Sequence, residues 1–338
     1  MEISLESTWD SLSKQAERRT GWHCQRVMPD APVAIYAAVH MPGDARALII
    51  EAPSSAVPAA IRYPVAKGLS IFPSYVMAKA TVQITIELVD NSYSDIFGVL
   101  GEDLVKVVAE TFDAKSAVQQ LISRLKRWQL LLQSFQPKGL SENQQIGLFG
   151  ELWFLSKHLL PSMLPLDAIR AWTAPYGSNQ DFQIGACALE VKTTTVTLAT
   201  VHISNIRQLD GAGLASLILI HISTELRSGS GETLNQVIDA IRTTLAENDP
   251  SAGQLFDEGL LAAGYLDSQS ERYAGRGYHV RNHTFFMVTD GFPRLVENHL
   301  PFGIEDVAYT LDLKAGHDYI MSDEDAQREI HRAGHANR

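Results

Sequence analysis

The residues best suited to chemistry lie in one short stretch, Asp181-Phe-Gln-Ile-Gly-Ala-Cys-Ala-Leu-Glu190-Val-Lys192. Gly185-Ala186 reads as a two-residue hairpin turn, with Gly in first place suiting type II′. That turn pairs Ile184 with Cys187 and Phe182 with Leu189, and sets Asp181 opposite Glu190. One face then carries Phe182, Ile184, Cys187, Leu189 and Val191; the other carries Asp181, Gln183, Ala186, Ala188, Glu190 and Lys192. A one-residue slip would mix the two sets, so the segregation supports the register. Opposed Cβ atoms in such a ladder lie about 4.5–5.5 Å apart. Two carboxylates that close either raise a pKa or share a cation. Lys192 offsets one charge, and a hard divalent ion with oxygen ligands, Mg²⁺ being the usual choice, fits better.

A third carboxylate stands on the preceding helix. At 100° per residue, Glu151 lies roughly 60–70° from the centre of the Leu148/Leu152/Leu155/Leu159 stripe. A Glu at that rim can point along a sheet. Gly147 and Gly150 cost helix stability and permit a close approach to a sheet or ligand. The triplet Asp/Glu-x-Lys alone is weak, since Asp113-Ala-Lys115 and Asp312-Leu-Lys314 also have it. Taken singly, Glu190 and Lys192 read as a solvated cross-strand pair. Neither other triplet has an opposed Asp across a tight turn and a Glu on a preceding amphipathic helix, and that combination reverses the weighting.

The elements that must position these groups are mixed α/β (α+β) in kind. Residues 1–137 read as a β-rich domain ending in helices: a helix over Trp9–Arg18, strands from Val33 to Leu88, and helices near Asp103–Phe112 and Ala117–Phe135. Alternation of Val82, Ile84, Ile86 and Val89 marks a half-buried strand. Residues 138–250 read helix, strand, strand, short helix, strand, helix. Ser141 and Gln144 form a capping box, Leu214–Ile222 suits a central strand apolar on both faces, and Gly231–Leu245 is an amphipathic helix. Residues 251–338 read as a C-terminal α/β extension whose final dozen residues are loose.

The 338 residues carry 28 Lys and Arg against 39 Asp and Glu, a net charge of −11, with 45% hydrophobic content. This is globular composition. Two cysteines, Cys24 and Cys187, exclude a disulfide scaffold and a Cys-based zinc site. No apolar run reaches the length of a membrane span, and the acidic N-terminus lacks a signal-peptide pattern, so a soluble cytoplasmic protein is expected. His279 and His283 lack an HExxH pattern, and there is no phosphate-binding G-x-x-x-x-G-K-[ST] loop. Residues 1–135 hold 13 basic and 14 acidic side chains against 7 and 11 in 136–250, so the helix with Arg124, Lys126 and Arg127 is the best basic cluster. Arg272, Arg276 and Arg281, interleaved with Tyr273 and Tyr278, form either a DNA-facing patch or scattered surface arginines. His202, on the strand after the triplet, reads as a structural histidine within reach of the site.

Glu151, Asp181 and Glu190-Val-Lys192, followed by a short helix and an apolar strand, resemble the PD-(D/E)XK nuclease superfamily. Gly147-Leu-Phe-Gly-Glu-Leu, Asp181-Phe, Glu190-Val-Lys-Thr-Thr and Ile203-Ser-Asn-Ile-Arg-Gln-Leu resemble a bacterial group within it, the PD-(D/E)XK motif proteins of restriction and phage-defence loci. The resemblance spans residues 141–222, and the residue before Asp181 is Gln180 where the motif has Pro. It implies a restriction-endonuclease-like core and metal-dependent hydrolysis of DNA phosphodiesters. It further implies that Asp181, Glu190 and the Val191 carbonyl bind Mg²⁺ (or Mn²⁺), with Glu151 supporting a second ion or a metal-bound water. Lys192 would orient or deprotonate the attacking water, and Gln208 would hydrogen-bond the phosphate or the water. The implied partners are DNA, a methyltransferase and an ATPase, and a second copy of the chain. Two alternatives remain open: a non-catalytic nucleic-acid-binding or assembly subunit on the same fold, and an unrelated small-molecule site.

Overall fold

The computed structural model of the protein describes residues 4–16, 20–58, 61–195, 200–304 and 306–335. The chain divides into two compact units, Met1–Lys138 and Gly139–Arg338.

The first unit runs α1 (Leu5–Ala16), β1 (Gly21–Val27), β2 (Ala34–Met41), β3 (Ala45–Pro53), β4 (Leu69–Val76), β5 (Thr81–Leu88), α2 (Ser94–Ala109) and α3 (Ala114–Ser134). Its five strands form one antiparallel sheet in the order β1-β2-β3-β5-β4. Val82, Ile84, Ile86 and Leu88 are buried as the alternation requires, whereas Val89 lies past the strand end and is exposed. Helix α1 presents Leu5, Trp9, Leu12 and Ala16 to the core, and the Trp9 indole N–H donates to the Ala47 carbonyl at 3.0 Å. Helix α2 begins at Ser94, well before the expected Asp103. Gly98 and Gly101 lower helix propensity and hide its start, but they serve packing: a Cβ on Gly101 would lie 2.9 Å from Leu5. The expected basic cluster is partly neutralised. Arg124 donates to both Asp103 oxygens at 2.6 Å, and the Trp128 indole N–H joins them at 2.7 Å.

The second unit runs α4 (Glu142–Phe154), α5 (Pro165–Ala171), β6 (Phe182–Ile184), β7 (Cys187–Thr194), β8 (Thr200–Ile203), β9 (Ser216–Ser228), β10 (Glu232–Thr233), α6 (Leu234–Asn248), α7 (Pro250–Ala262), β11 (Arg276–Met287), β12 (Tyr309–Asp312), β13 (Ile320–Met321) and α8 (Asp323–His335). Strands β10-β11-β9-β7-β6 form a mixed sheet in that order, with β13 paired to β11 and with β7 and β9 parallel. Strand β9 is buried on both faces, as its apolar run requires. Ile218, Ile220 and Ile222 join the cluster with α4, α6 and α7, while Leu217 and Leu219 pack with Val201, Ile203, Phe286 and Leu311.

Two departures from the sequence reading lie beyond residue 250. Strand β11 sits beside β9 within the sheet, so residues 251–338 help to build the core unit. The C-terminal segment is also helical: Ala326 and Ile330, four apart on α8, are fully buried, so the chain is anchored through that helix. Residues 336–338 of the expected loose tail lie outside the described residues.

Candidate active site

The hairpin forms in the expected register, Phe182↔Leu189, Gln183↔Ala188 and Ile184↔Cys187, with Gly185 at φ +56° in the turn. The ladder stops one pair short of Asp181. Its carbonyl is taken instead by the N–H groups of Thr173 and Ala174, at 2.8 and 3.1 Å. Its carboxylate crosses to β7, where Oδ2 accepts from the Val191 N–H at 2.7 Å. In a strand the N–H and C=O of one residue point to the same side. The Val191 carbonyl therefore faces the flank where Asp181 sits.

One residue back along β7, Glu190 is fully buried. Its Oε1 lies 2.7 Å from Lys192 Nζ as an ion pair. Neither carboxylate oxygen has a hydrogen bond of acceptable geometry among the described residues. Lys192 Nζ also donates to Gln208 Oε1 at 3.0 Å. That same oxygen accepts from the N–H and hydroxyl of Ser204 at 3.1 and 3.2 Å. Gln208 stands on the short helical turn Ile206–Leu209, so this turn is tied to the ammonium group.

Helix α4 brings Glu151 to the same place. Its N-terminus is set by the Ser141–Gln144 capping box, and the Leu148/Leu152/Leu155/Leu159 stripe is buried. Gly150 sets how closely the helix meets β7, because a Cβ there would lie 1.7 Å from Thr193 Oγ1 and 2.9 Å from Thr193 Cβ. Gly150→Ala should therefore destabilise the fold by about 1–3 kcal/mol, despite Ala being the better helix former. Equilibrium urea denaturation measures this, and a variant more stable than the parent would contradict it. Glu151 Oε2 accepts from the Trp172 indole N–H at 2.8 Å.

Burial and mutual repulsion govern the protonation of these acids. Desolvation, then the nearby Asp181 charge, push Glu151 up to about 8, against the opposing pull of Trp172 and Lys192. Desolvation likewise raises Asp181 to about 6, opposed by the Val191 N–H and by Lys192. Glu190 is raised well above the carboxylate range by desolvation and then by Asp181. Three acids with elevated pKa values around one lysine make an arrangement costly to keep empty of positive charge.

Residues 5–314 match the model of one protein family, titled "Putative PD-(D/E)XK family member, (DUF4420)". The chain belongs to this family. No curated protein and no solved structure matches it. The match covers both units and so reaches well beyond the nuclease-like segment from which the resemblance was read.

In this PD-(D/E)XK family member the donor chemistry suits a divalent cation, since the buried Glu190 carboxylate, ion-paired with Lys192, makes no hydrogen bond of acceptable geometry among the described residues and lies in the field of a second carboxylate, Asp181, whose Oδ2 meets the Val191 backbone. Among the described residues no three His, Cys, Asp or Glu side chains form a ready ligand cluster. Such a set suits a hard divalent ion that keeps several of its waters.

Other expected contributors stand apart. His202 is exposed on β8 opposite Thr310 and, among the described residues, takes no part in the hydrogen bonds of the site. Arg276 is paired with Glu142, and Arg281 lies 3.0 Å from Glu225. Tyr273 and Tyr278 are buried, so that segment presents no aromatic stacking surface. Two residues to which the sequence assigned no role do belong to the site. Trp172 is one. Gln180 is the other: its amide donates to the Arg207 carbonyl at 2.7 Å, bracing the turn that carries Gln208. Its place in the motif, where Pro is usual, marks the position but not this bond. No helix among the described residues is long and apolar enough to cross a membrane.

Proposed function

We propose that this chain is a Mg²⁺-dependent nuclease, with Mn²⁺ as a substitute, that hydrolyses DNA phosphodiesters as the endonuclease subunit of a cytoplasmic restriction or phage-defence system. The observation that carries this reading is Glu190: a fully buried carboxylate whose one charge partner among the described residues is Lys192, 2.7 Å away, and whose proton affinity is raised further by Asp181 and Glu151. A divalent ion bound there would supply charge stabilisation for a phosphoryl oxygen and a more acidic water.

Asp181, Glu190 and the Val191 carbonyl would hold the ion, and Glu151 would orient a water or support a second ion. The Val191 N–H fixes Asp181 Oδ2, leaving Oδ1 for binding. Lys192 Nζ, held between Glu190 and Gln208, is placed to donate to a phosphate oxygen or to orient the attacking water. Gln208, released from Lys192, would bind the phosphate through its amide. With a net charge of −11 the lone chain should hold DNA weakly and with strong salt dependence. A methyltransferase, an ATPase or a second copy of the chain would assist capture.

The expected result is nicking of unmethylated plasmid or phage DNA in Mg²⁺, lost in Lys192→Ala and in Asp181→Ala. Cleavage that persists in both variants refutes the assignment. A second reading, a non-catalytic nucleic-acid-binding or assembly subunit, is favoured by the engagement of Lys192 with both Glu190 and Gln208. Calorimetry showing no divalent-ion binding by the folded chain would support it.

A further inference from the structure

We infer that Trp172 is a positioning residue that holds Glu151 and Asp181 at a fixed separation for a divalent cation; the inference rests on the metal-dependent reading of this site. Trp172 is buried, and its indole N–H, a group that can only donate, is spent on Glu151 Oε2 at 2.8 Å. Its backbone forms a bridge with Phe182, next to Asp181. The two following residues donate their N–H groups to the Asp181 carbonyl at 2.8 and 3.1 Å, and the Thr173 hydroxyl bonds the Gln180 carbonyl at 3.1 Å.

Three consecutive residues thus grip a carboxylate from α4 and the backbone that carries a carboxylate beside β6. The separation of the two acids is set by this short segment, in addition to the packing of helix on sheet. The indole is itself fixed from α7. It packs against Phe256 with ring centroids 6.0 Å apart, and a Cβ on Gly259 would lie 2.8 Å from the ring. Helix α7, distant in sequence from every acid of the site, therefore holds the ring in place. Residues of this kind, hydrogen-bonded to ligands without touching the ion, typically change metal affinity by about 10–100-fold when removed.

The test uses the full ¹⁵N-labelled chain. Its five tryptophans give five indole N–H signals, with that of Trp172 assigned by its absence in Trp172→Phe. On titration with Mg²⁺ the Trp172 signal should shift far more than the other four. By calorimetry Trp172→Phe, which keeps an aromatic ring but loses the donor, should bind Mg²⁺ about 10–100-fold more weakly. Gly259→Ala, which crowds the ring and leaves every site residue intact, should weaken binding in the same direction. Wild-type Mg²⁺ affinity in Trp172→Phe, an unmoved Trp172 signal at saturation, or a parent chain that binds no Mg²⁺ would each overturn the inference. Tight Mg²⁺ binding without DNA cleavage would overturn the nuclease reading alone, because neither readout here depends on turnover.

Discussion

Glu151→Gln should make the metal-free protein more stable at pH 8.5 while abolishing cleavage. Glu151 is raised to about 8 and Asp181 to about 6, chiefly by desolvation. The unfolded chain releases these protons near pH 4. Between pH 4 and 8 the native state therefore binds more protons than the unfolded state, and stability falls as pH rises through that window. Stability due to the shifted acids is fully present below the unfolded pKa and gone above the folded one. Glutamine keeps an acceptor for the Trp172 N–H and never ionises. The gain at pH 8.5 should be on the order of 1–3 kcal/mol, or about 3–8 °C in Tm, and should vanish near pH 4. Thermal unfolding in EDTA across that range checks it, and parallel curves for parent and variant would sink the argument. Excess Mg²⁺ should raise the Tm of the parent at pH 8.5 more than that of the variant, by the linkage of binding to folding.

The same physics explains which parts of the structure the sequence revealed. The hairpin register was legible because each face has its own chemistry and a slip would bury Gln183 or expose Phe182. Strand β9 was legible because an apolar run buried on both faces needs no alternation. Asp181 lies close enough to Glu190 to raise its pKa, but not in the ladder pairing that the sequence predicts. The ladder expectation paired it across the strands, whereas the Thr173–Ala174 turn captures its carbonyl and its side chain caps the Val191 N–H. Contacts of that kind depend on residues brought together by the tertiary fold and leave no periodic trace.

Trp172, and the contact that Gln180 makes with the Arg207 carbonyl, left no mark for the same reason, since a single indole or amide carries no spacing. The arginines at 272, 276 and 281 show the opposite case, in which spacing left two readings open. A DNA-facing patch and scattered surface arginines both fitted it, and the pairing of Arg276 with Glu142 and Arg281 with Glu225, distant in sequence, favours the scattered arrangement. Helix α8 was hidden by charge. Its apolar positions, Ala326 and Ile330, are few, yet they suffice to dock a helix whose other face is solvated.

The second large effect concerns the Lys192–Glu190 pair. Lys192→Met should reduce cleavage by about 10²–10³-fold, the scale on which losing one preorganised donor to a developing negative charge lowers kcat. It should also change stability in a way that identifies the partner. Removing one member of a buried ion pair typically costs about 3–5 kcal/mol because the other is left charged and unpaired. Glu190 is fully buried and already raised well above the carboxylate range by desolvation. Without Lys192 it can take up a proton and escape most of that cost at low pH. The stability cost of Lys192→Met should thus be smaller at pH 5 than at pH 8.5. Adding Glu190→Gln removes the charge that Lys192 compensated. The double variant should recover most of the loss at pH 8.5 while remaining inactive, giving a coupling energy of about 1–3 kcal/mol in a double-mutant cycle. Urea unfolding of the four proteins at the two pH values measures this. Additive effects at pH 8.5 would mean that the 2.7 Å contact between Lys192 and Glu190 contributes nothing to the fold, leaving Gln208 as the group that orients the ammonium.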